Sequence, residues 1–589
     1  MEEFIYKIAE SKTKQRLIGF IVLIALIVAV ALIPAGIVLA KMLPGKSANT
    51  FSIYIDTATN STVKQTREVV ECVSGILQKE KDILHMEMFL GQGVPLDYAG
   101  LVKGSDFKSL KSQAEISVNL TDKHHRSEPS FMMVHRLRPV IQNKCEGIYN
   151  GTVIKFVEMP SGPPTFATIV VNLYGKDNSL LSETSKVVAQ ALADTDGLVD
   201  IDVMRDDIYD RFEIVPNVEK IINSNLTIDQ VSDILYMAFK GNTVAVKNSN
   251  NQHDQIPIFV SLDKKTRTLN TAGKDELSLK LSRLKLLNKM GVMVPMREVV
   301  EIRATKSSPT VFKKNMKNIV TIAAECDLVS QVYPLMDARE LMAERLAETF
   351  EVERLRGAST YMLDLALTHK ITGEEVLLRW DGEMKVSLDT FRDLGGAFIS
   401  ALVLMFLLMV VYYKSFALSG IVLMGSFLSI IGVLIGHFIT DLIALYFTGV
   451  HFYLTATSLI GFISLMGISA RSSLLLIDFT KSLIISGVEK NRAIAIATAT
   501  RAKPILLTAV AIILGSLLLS TDPIFGGLGI ALIFGSIAST LVSLFYIPVL
   551  MAKTTAICPD LKIPCPVDEG LNKENIDVSS IPPEVHNNK

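Results

Sequence analysis

Arg471 is set inside an apolar run of membrane length, Leu454 to Ile477, that holds no other charged residue. An ionisable group in hydrocarbon costs roughly 2.5–3.5 kcal/mol or more, and it persists where it faces a partner, a water-filled cavity or an ion path. A guanidinium keeps its proton in proteins, so Arg471 cannot itself be the proton carrier. It can hold a neighbouring carboxylate in the ionised form when paired and let it protonate when separated, which converts protonation into helix movement. That chemistry needs an Asp or Glu at the same depth. The apolar runs hold none: Asp393, Asp441, Asp478 and Asp522 stand at their ends. The partner is therefore expected outside this polypeptide. The plain alternative is that Arg471 reaches along its own stem to the aqueous interface.

The remaining candidates for chemistry are weaker. Thioethers suit soft ions such as Cu(I), which draws attention to Met86, Met88, Met132, Met133 and Met159, and beside them to His124-His125. Methionine is also a flexible core filler, and that reading is preferred, with the His pair in a solvated loop. Cys72, Cys145, Cys326, Cys558 and Cys565 have neither the spacing of a disulfide scaffold nor CxxC knuckles, so they read as free thiols in a reducing compartment. No nucleophile–base set, metal-ligand motif or phosphate loop is found. An enzyme is not expected, and no cofactor is required.

The elements that position these residues follow from composition. The chain has 589 residues, 49% of them hydrophobic and 20% charged, with a mean hydropathy of +0.36. It is too apolar for an ordinary soluble protein and too charged to lie wholly in a bilayer. A net charge of -1 without a basic face argues against nucleic acid as a partner. Six runs reach the ~20 residues that a membrane helix needs: Leu17 to Ala40, Gly395 to Tyr413, Ala417 to Thr440, Leu454 to Ile477, Pro504 to Ser520 and Ile524 to Met551. The first is too long for the core of a signal peptide and lacks a small-residue cleavage site, so it reads as a retained anchor. Lys7, Lys12, Lys14, Arg16, Lys414, Lys481, Lys490, Arg492, Arg501, Lys503 and Lys553 all fall on one side of these runs. The positive-inside rule makes that side, with both termini, cytoplasmic.

Between the first two runs lies an aqueous segment of about 350 residues, room for two or three domains. Its first part reads as strand Phe51 to Asp56, helix Ser61 to Gln78, strand Ile83 to Phe89, then strand Ala114 to Leu120, helix Ser130 to Ile141 and strand Thr152 to Val157. Two such units predict a split, ferredoxin-like α/β sandwich. The Pro-rich stretch Met159-Pro160-Ser161-Gly162-Pro163-Pro164 closes it. A second α/β lobe opens with strand Thr165 to Tyr174 and helix Ser179 to Ala193; regularity fades from about Arg205 to Ile302, as in an insertion, and resumes at Ile319. The Pro- and Asn-rich tail from Thr554 is expected to be disordered.

Several ordered motifs now carry a resemblance. The run Gly467-Ile468-Ser469-Ala470-Arg471-Ser472-Ser473-Leu474-Leu475-Leu476-Ile477-Asp478-Phe479 resembles the tenth transmembrane helix of resistance-nodulation-division (RND) efflux transporters. Arg501-Ala502-Lys503-Pro504-Ile505-Leu506-Leu507-Thr508 resembles the start of their eleventh helix, and Asp522-Pro523-Ile524-Phe525-Gly526-Gly527 their last outer loop. Lys41-Met42-Leu43-Pro44, Glu158-Met159-Pro160-Ser161-Gly162-Pro163-Pro164 and Trp380-Asp381-Gly382-Glu383 match further landmarks in the same order. The resemblance spans nearly the whole chain but only the second of the family's two repeats.

It implies a polytopic α-helical membrane protein with a large α/β periplasmic domain of ferredoxin-like porter lobes and an inserted docking-type subdomain. The implied organisation is a cytoplasmic leader at 1–16, a first transmembrane helix at 17–40, a porter-like lobe at 41–160, and a second lobe at 161–394 with an insertion at about 205–302. Five transmembrane helices at 395–552 and a tail at 553–589 complete it. Arg471 matches the cation that pairs with two relay aspartates of the first repeat, Thr508 a relay hydroxyl, and Arg501 a basic residue near the cytoplasmic end of the proton path. The relay role is preferred for Thr508 over a bond to its own backbone, whereas Arg501 is read at least as readily as a topology signal. The metal-exporting branch uses three methionines in the periplasmic cleft, and here only Met159 falls near one of those places; Tyr54 and Gln113 stand nearest the other two.

The expected function is that of a C-terminal-half subunit of a proton-driven efflux pump in the inner membrane, exporting hydrophobic or amphiphilic compounds. Expected partners are an N-terminal-half subunit supplying the relay aspartates, further copies in a trimeric assembly, a periplasmic adaptor, an outer-membrane channel and membrane lipid. Heavy-metal cation efflux is the alternative substrate reading. A non-transporting remnant or scaffold is the alternative of a different kind.

Overall fold

Polar residues flank every apolar run of the sequence, and the helices continue through them. A computed structural model describes residues 1–558 apart from 160–161, 163, 207, 252–253, 270–272 and 356–362. It holds six helices long and apolar enough to cross a membrane: Lys12–Ala31, Glu383–Tyr413, Phe416–Thr448, Ala456–Ile485, Lys490–Leu519 and Gly526–Lys553. Hydropathy puts Asp393, Asp441 and Asp478 at helix ends; because helical hydrogen bonding outlasts the apolar stretch, they lie inside the helices instead. The first span is the exception. It stops at Ala31, short of the expected Ala40, because Pro34 cannot continue the ladder and Gly36 turns at φ +67. The sixth span takes a wider π turn at Val542–Tyr546 just before Pro548.

The third, fourth and sixth spans pack closely through glycine. A Cβ on Gly432 would sit 2.3 Å from the Phe534 carbonyl oxygen, and one on Gly535 would sit 2.1 Å from Leu465 Cδ1. In a membrane such small residues let helix backbones approach where the hydrophobic effect gives no drive. The first and second spans bury little against the rest.

The first lobe is built from β1 (Thr50–Asp56), α1 (Val63–Leu77), β2 (Ile83–Leu90), β3 (Gln113–Leu120), α2 (Ser130–Cys145) and β4 (Val153–Glu158). All pairings are antiparallel, in the order β2-β3-β1-β4, which is the split β-α-β arrangement. Alternation along β1 turns Phe51, Ile53 and Ile55 into a core shared with Val73 and Leu77 of α1 and Leu137 and Ile141 of α2. Helix α1 begins at a capping box, with Thr62 and Gln65 satisfying each other's backbone N–H groups.

Here one expectation fails. Cys72 on α1 and Cys145 on α2 form a disulfide, Cα–Cα 5.9 Å, across a sequence separation of 73. Cys558 is disulfide-bonded as well. Among the described residues Cys326 is the free cysteine, so the uniform reading as free thiols in a reducing compartment is corrected.

The second lobe contains β5 (Ile169–Gly175), α3 (Asn178–Ala193), β6 (Leu198–Met204), β7 (Phe312–Lys314), β8 (Lys317–Cys326), α4 (Val332–Leu346), β9 (Phe350–Arg354), β10 (Leu365–His369) and β11 (Glu375–Asp381). The sheet runs β7-β8-β5-β11-β10-β9, with β6 also on β8. Strand β6 carries a bulge opposite Ala324, and within it Asp200 adopts φ +54. A separate core of Ile169, Val171, Leu173, Leu181, Ile322 and Leu335 supports this lobe.

Strand β11 passes into the second span through the single residue Gly382, at φ +82. A Cβ there would lie 2.7 Å from the Ala167 carbonyl oxygen, and Glu383 and Met384 donate their backbone N–H groups to Ala167 and Thr168 at 3.1 and 3.2 Å.

Arg205–Val311 with Ala58–Ser61 forms a compact unit of its own. Strand Asp210–Pro216 pairs with Val300–Lys306, and Ile221, Val231, Leu281 and Met296 belong to its core. The Pro-rich closure expected at 159–164 falls partly, and the expected disordered tail almost wholly, outside the described residues.

Candidate functional site

The fourth span begins at Thr455, whose hydroxyl accepts from Ser458 N–H in a capping box. From there Ile460, Ser464, Gly467, Arg471 and Leu475 recur every three or four residues as one exposed stripe. The opposite face, with Gly461, Phe462, Leu465, Ser469 and Ser473, is buried against the bundle. Arg471 thus points away from its own bundle and, among the described residues, makes no hydrogen bond or ion pair. Thr508 is on the exposed side of the fifth span, and its hydroxyl donates to the Ile505 carbonyl at 2.8 Å. Arg501 stacks over Phe479, guanidinium carbon to ring centroid 4.9 Å, with its Nε buried and without a partner among the described residues. No described hydrogen bond or ion pair joins Arg471, Thr508 and Arg501 to one another.

Asp478, the acid nearest Arg471 in sequence, accepts from Tyr412 Oη at 3.3 Å. Asp441 accepts from the Phe452 N–H at 2.7 Å and faces His451 Nδ1 at 3.2 Å. Buried His437 is satisfied by the Ser458 hydroxyl and the Val433 carbonyl, each at 2.8 Å. These residues cap and fasten helices.

A second site lies where the two lobes meet the spans. Three distant motifs converge there: Lys41 after the first span, Glu158 and Met159 after β4, and Glu383 at the head of the second span all line one cleft, together with Cys326 and Tyr453. The Lys41 backbone N–H donates to Leu454 at 3.1 Å, and its ammonium sits 5.4 Å from the centre of the Tyr453 ring. Burial pushes Glu158 up to about 7 against the pull of Arg138. In the sequence Lys41, Glu158 and Glu383 stand out only as landmarks of separate motifs, with no common place. Their shared signal is a charged residue beside a structure-breaking Pro or Gly.

Met159 is in this cleft, and among the described residues no second thioether lines it. Tyr54 lies under the Lys108 ammonium at 4.3 Å, and Gln113 accepts from the Ser109 and Leu110 N–H groups. Met133 belongs to the core of the first lobe. Among the described residues no group of three or more His, Cys, Asp or Glu is arranged to hold a metal.

The model of the AcrB/AcrD/AcrF family matches residues 3–554. The chain belongs to this family. AcrB-type RND permeases are inner-membrane transporters rather than enzymes. The chain is 23% identical to the swarming motility protein SwrC of Bacillus subtilis over 520 residues, covering 87% of this chain and 43% of that protein. It is 23% identical to the nickel and cobalt resistance protein CnrA of Cupriavidus metallidurans over 430 residues, covering 71% and 36%. The cobalt-zinc-cadmium resistance protein CzcA of the same species is 22% identical over 407 residues, covering 67% and 34%. Two crystal forms of a heavy metal efflux pump align with TM-scores of 0.68 and 0.69 at 15% identity, over 93% of this chain and 51% of theirs. At that identity the likeness is one of fold. The chain spans less than half the length of these curated relatives.

Proposed function

We propose that this chain supplies the cation side of the coupling centre of a proton-driven RND efflux transporter, equivalent to the family's C-terminal repeat. The observation that carries the reading is Arg471 on an exposed stripe beside Ser464 and Gly467. Small residues around an unpartnered charge make a face for another helix, and a carboxylate on that helix would relieve the cost of the charge. The carboxylates come from a first repeat not contained in these 589 residues. Thr508 and Arg501 take the supporting places, Thr508 accepting through an oxygen lone pair while its O–H donates to the Ile505 carbonyl. The Lys/Arg asymmetry supports cytoplasmic termini and periplasmic lobes. RND pumps generally work as trimers with an adaptor and an outer-membrane channel, which supports the same partners here.

Heavy-metal cations are the substrate class we favour, because CnrA and CzcA are named for metal resistance and carboxylates line the cleft beside Met159. Hydrophobic or amphiphilic export is the second reading, supported by Leu43, Phe131, Phe156 and Tyr453 in the same lining. The test is export of nickel, cobalt, zinc and an amphiphile panel by the chain co-expressed with its first-repeat partner in a pump-deficient host. Arg471→Ala should abolish export with the protein still in the membrane. Undiminished export by Arg471→Ala would overturn the coupling role, and the panel decides between substrate classes.

A further inference from the structure

The two lobes do not share a hydrophobic core. Each closes around its own apolar cluster, and charged side chains fasten one to the other. Three cations reach out from the first lobe and four carboxylates meet them from the second, while Asp56 of the first lobe holds Lys155 from its own side at 2.6 Å. Lys103 Nζ lies 2.6 Å from Glu325, Arg138 lies 3.1 Å from Asp200 and 2.7 Å from Asp327, and Lys155 lies 2.8 Å from Asp202. The three cations are 7–10% exposed, so solvent and salt screen them little.

Local structure is bent to serve these contacts. The bulge in β6 and the left-handed backbone of Asp200 aim its carboxylate across the boundary, where Gln142 Nε2 and the Phe156 N–H also donate to it, each at 3.2 Å. Glu325 is held on its own side by the Thr168 hydroxyl. The Tyr54 ring stands on the wall of a small cavity that Lys103, Lys155, Asp200 and Asp202 share.

We infer that this belt of ion pairs is a charge-gated latch that holds the cleft between the lobes shut. Opening breaks Lys103–Glu325, Arg138–Asp200/Asp327 and Lys155–Asp202 together, frees Lys103 and Arg138 on one wall and four carboxylates on the other, and leaves Lys155 on Asp56 of its own lobe. Both apolar cores stay covered in either state. Water solvates the freed charges, so the open state is accessible in a way that separating two apolar faces is not. The inference goes beyond the transport reading, because it concerns lobe separation whatever the substrate and whether or not Arg471 couples.

The test is a distance between lobes in the full chain. Spin labels are placed at Lys79→Cys and Glu348→Cys, both exposed, in a Cys326→Ser background. The parent should give one distance population. Lys103→Glu and Glu325→Lys, each alone, should add a longer one, and the double swap should return the single population. Reversed charge can unfold a lobe, so amide protection of β1 and β8 is read on every variant, and Lys103→Gln, Arg138→Gln and Lys155→Gln are run in parallel. Folded variants, reversed or neutral, that keep the parent distance would overturn the latch. So would an opening that the double swap fails to reverse.

Discussion

The disulfide Cys72–Cys145 gives the most quantitative prediction. Replacing both cysteines by Ala removes a crosslink that closes a loop of 73 residues and ties α1 to α2 over one sheet. In the chain-entropy treatment the unfolded state then regains about 15 cal/mol/K, or about 4 kcal/mol at 25 °C. One decade corresponds to ~1.4 kcal/mol, so the opening equilibrium of the first lobe should rise roughly a thousand-fold. Native-state hydrogen exchange reads it directly: amides of Ile53, Ile55 and Ile116, fully buried in β1 and β3, should lose about three decades of protection. Trp380, the chain's sole tryptophan, is buried in the second lobe, so its fluorescence serves as an internal control and should not change. A loss under tenfold would refute the entropic reasoning. Equal loss in β5 and β8 would show that the lobe does not open on its own.

Other expectations are narrower. Gly382→Ala meets both a left-handed backbone and the Ala167 carbonyl, and should cost about 2–3 kcal/mol in urea unfolding followed by Trp380. Arg138→Gln leaves Asp200 buried and unpaired, and should destabilise by about 3 kcal/mol in the same assay; a change below ~1 kcal/mol would make the pair no better than a surface one. Glu158 should bind a proton with a midpoint at about 7, seen as an infrared carboxylic-acid band that Glu158→Gln abolishes. Its folded-state value lies above the ordinary 4.5, so its contribution to stability is complete below about 4.5 and is lost as pH rises through about 7.

What the sequence revealed follows physical range. The six spans were legible because ~20 apolar residues in a row are the length a bilayer demands and are rare in chains that fold in water. So were β1, α1, β3 and α2, whose periodicities of two and 3.6 are local. The helix ends were not: nothing in hydropathy says that polar Glu383 to Asp393 continues as helix. The disulfide was hidden because 73 residues separate its halves and no nearby spacing signals it. The stripe carrying Arg471 could have been found by counting from Ile460 in steps of three and four. The belt of Lys103, Arg138 and Lys155 could not, since each partner lies on another lobe and becomes adjacent only after both have folded.

The join at Gly382 has a mechanical meaning. The helix it starts is 31 residues long without interruption, about 46 Å at ~1.5 Å per residue, and only about two thirds of that is needed to cross ~30 Å of hydrocarbon. Its first turn is clamped to the backbone of Ala167 and Thr168, with no slack linker between sheet and rod. A rigid arm clamped at its base works as a crank: a tilt of ~10° at the sheet sweeps its far end, near Tyr413, through roughly 8 Å over that length. With the helix held straight, a tilt of the second lobe would arrive near Tyr413 as displacement of the backbone itself.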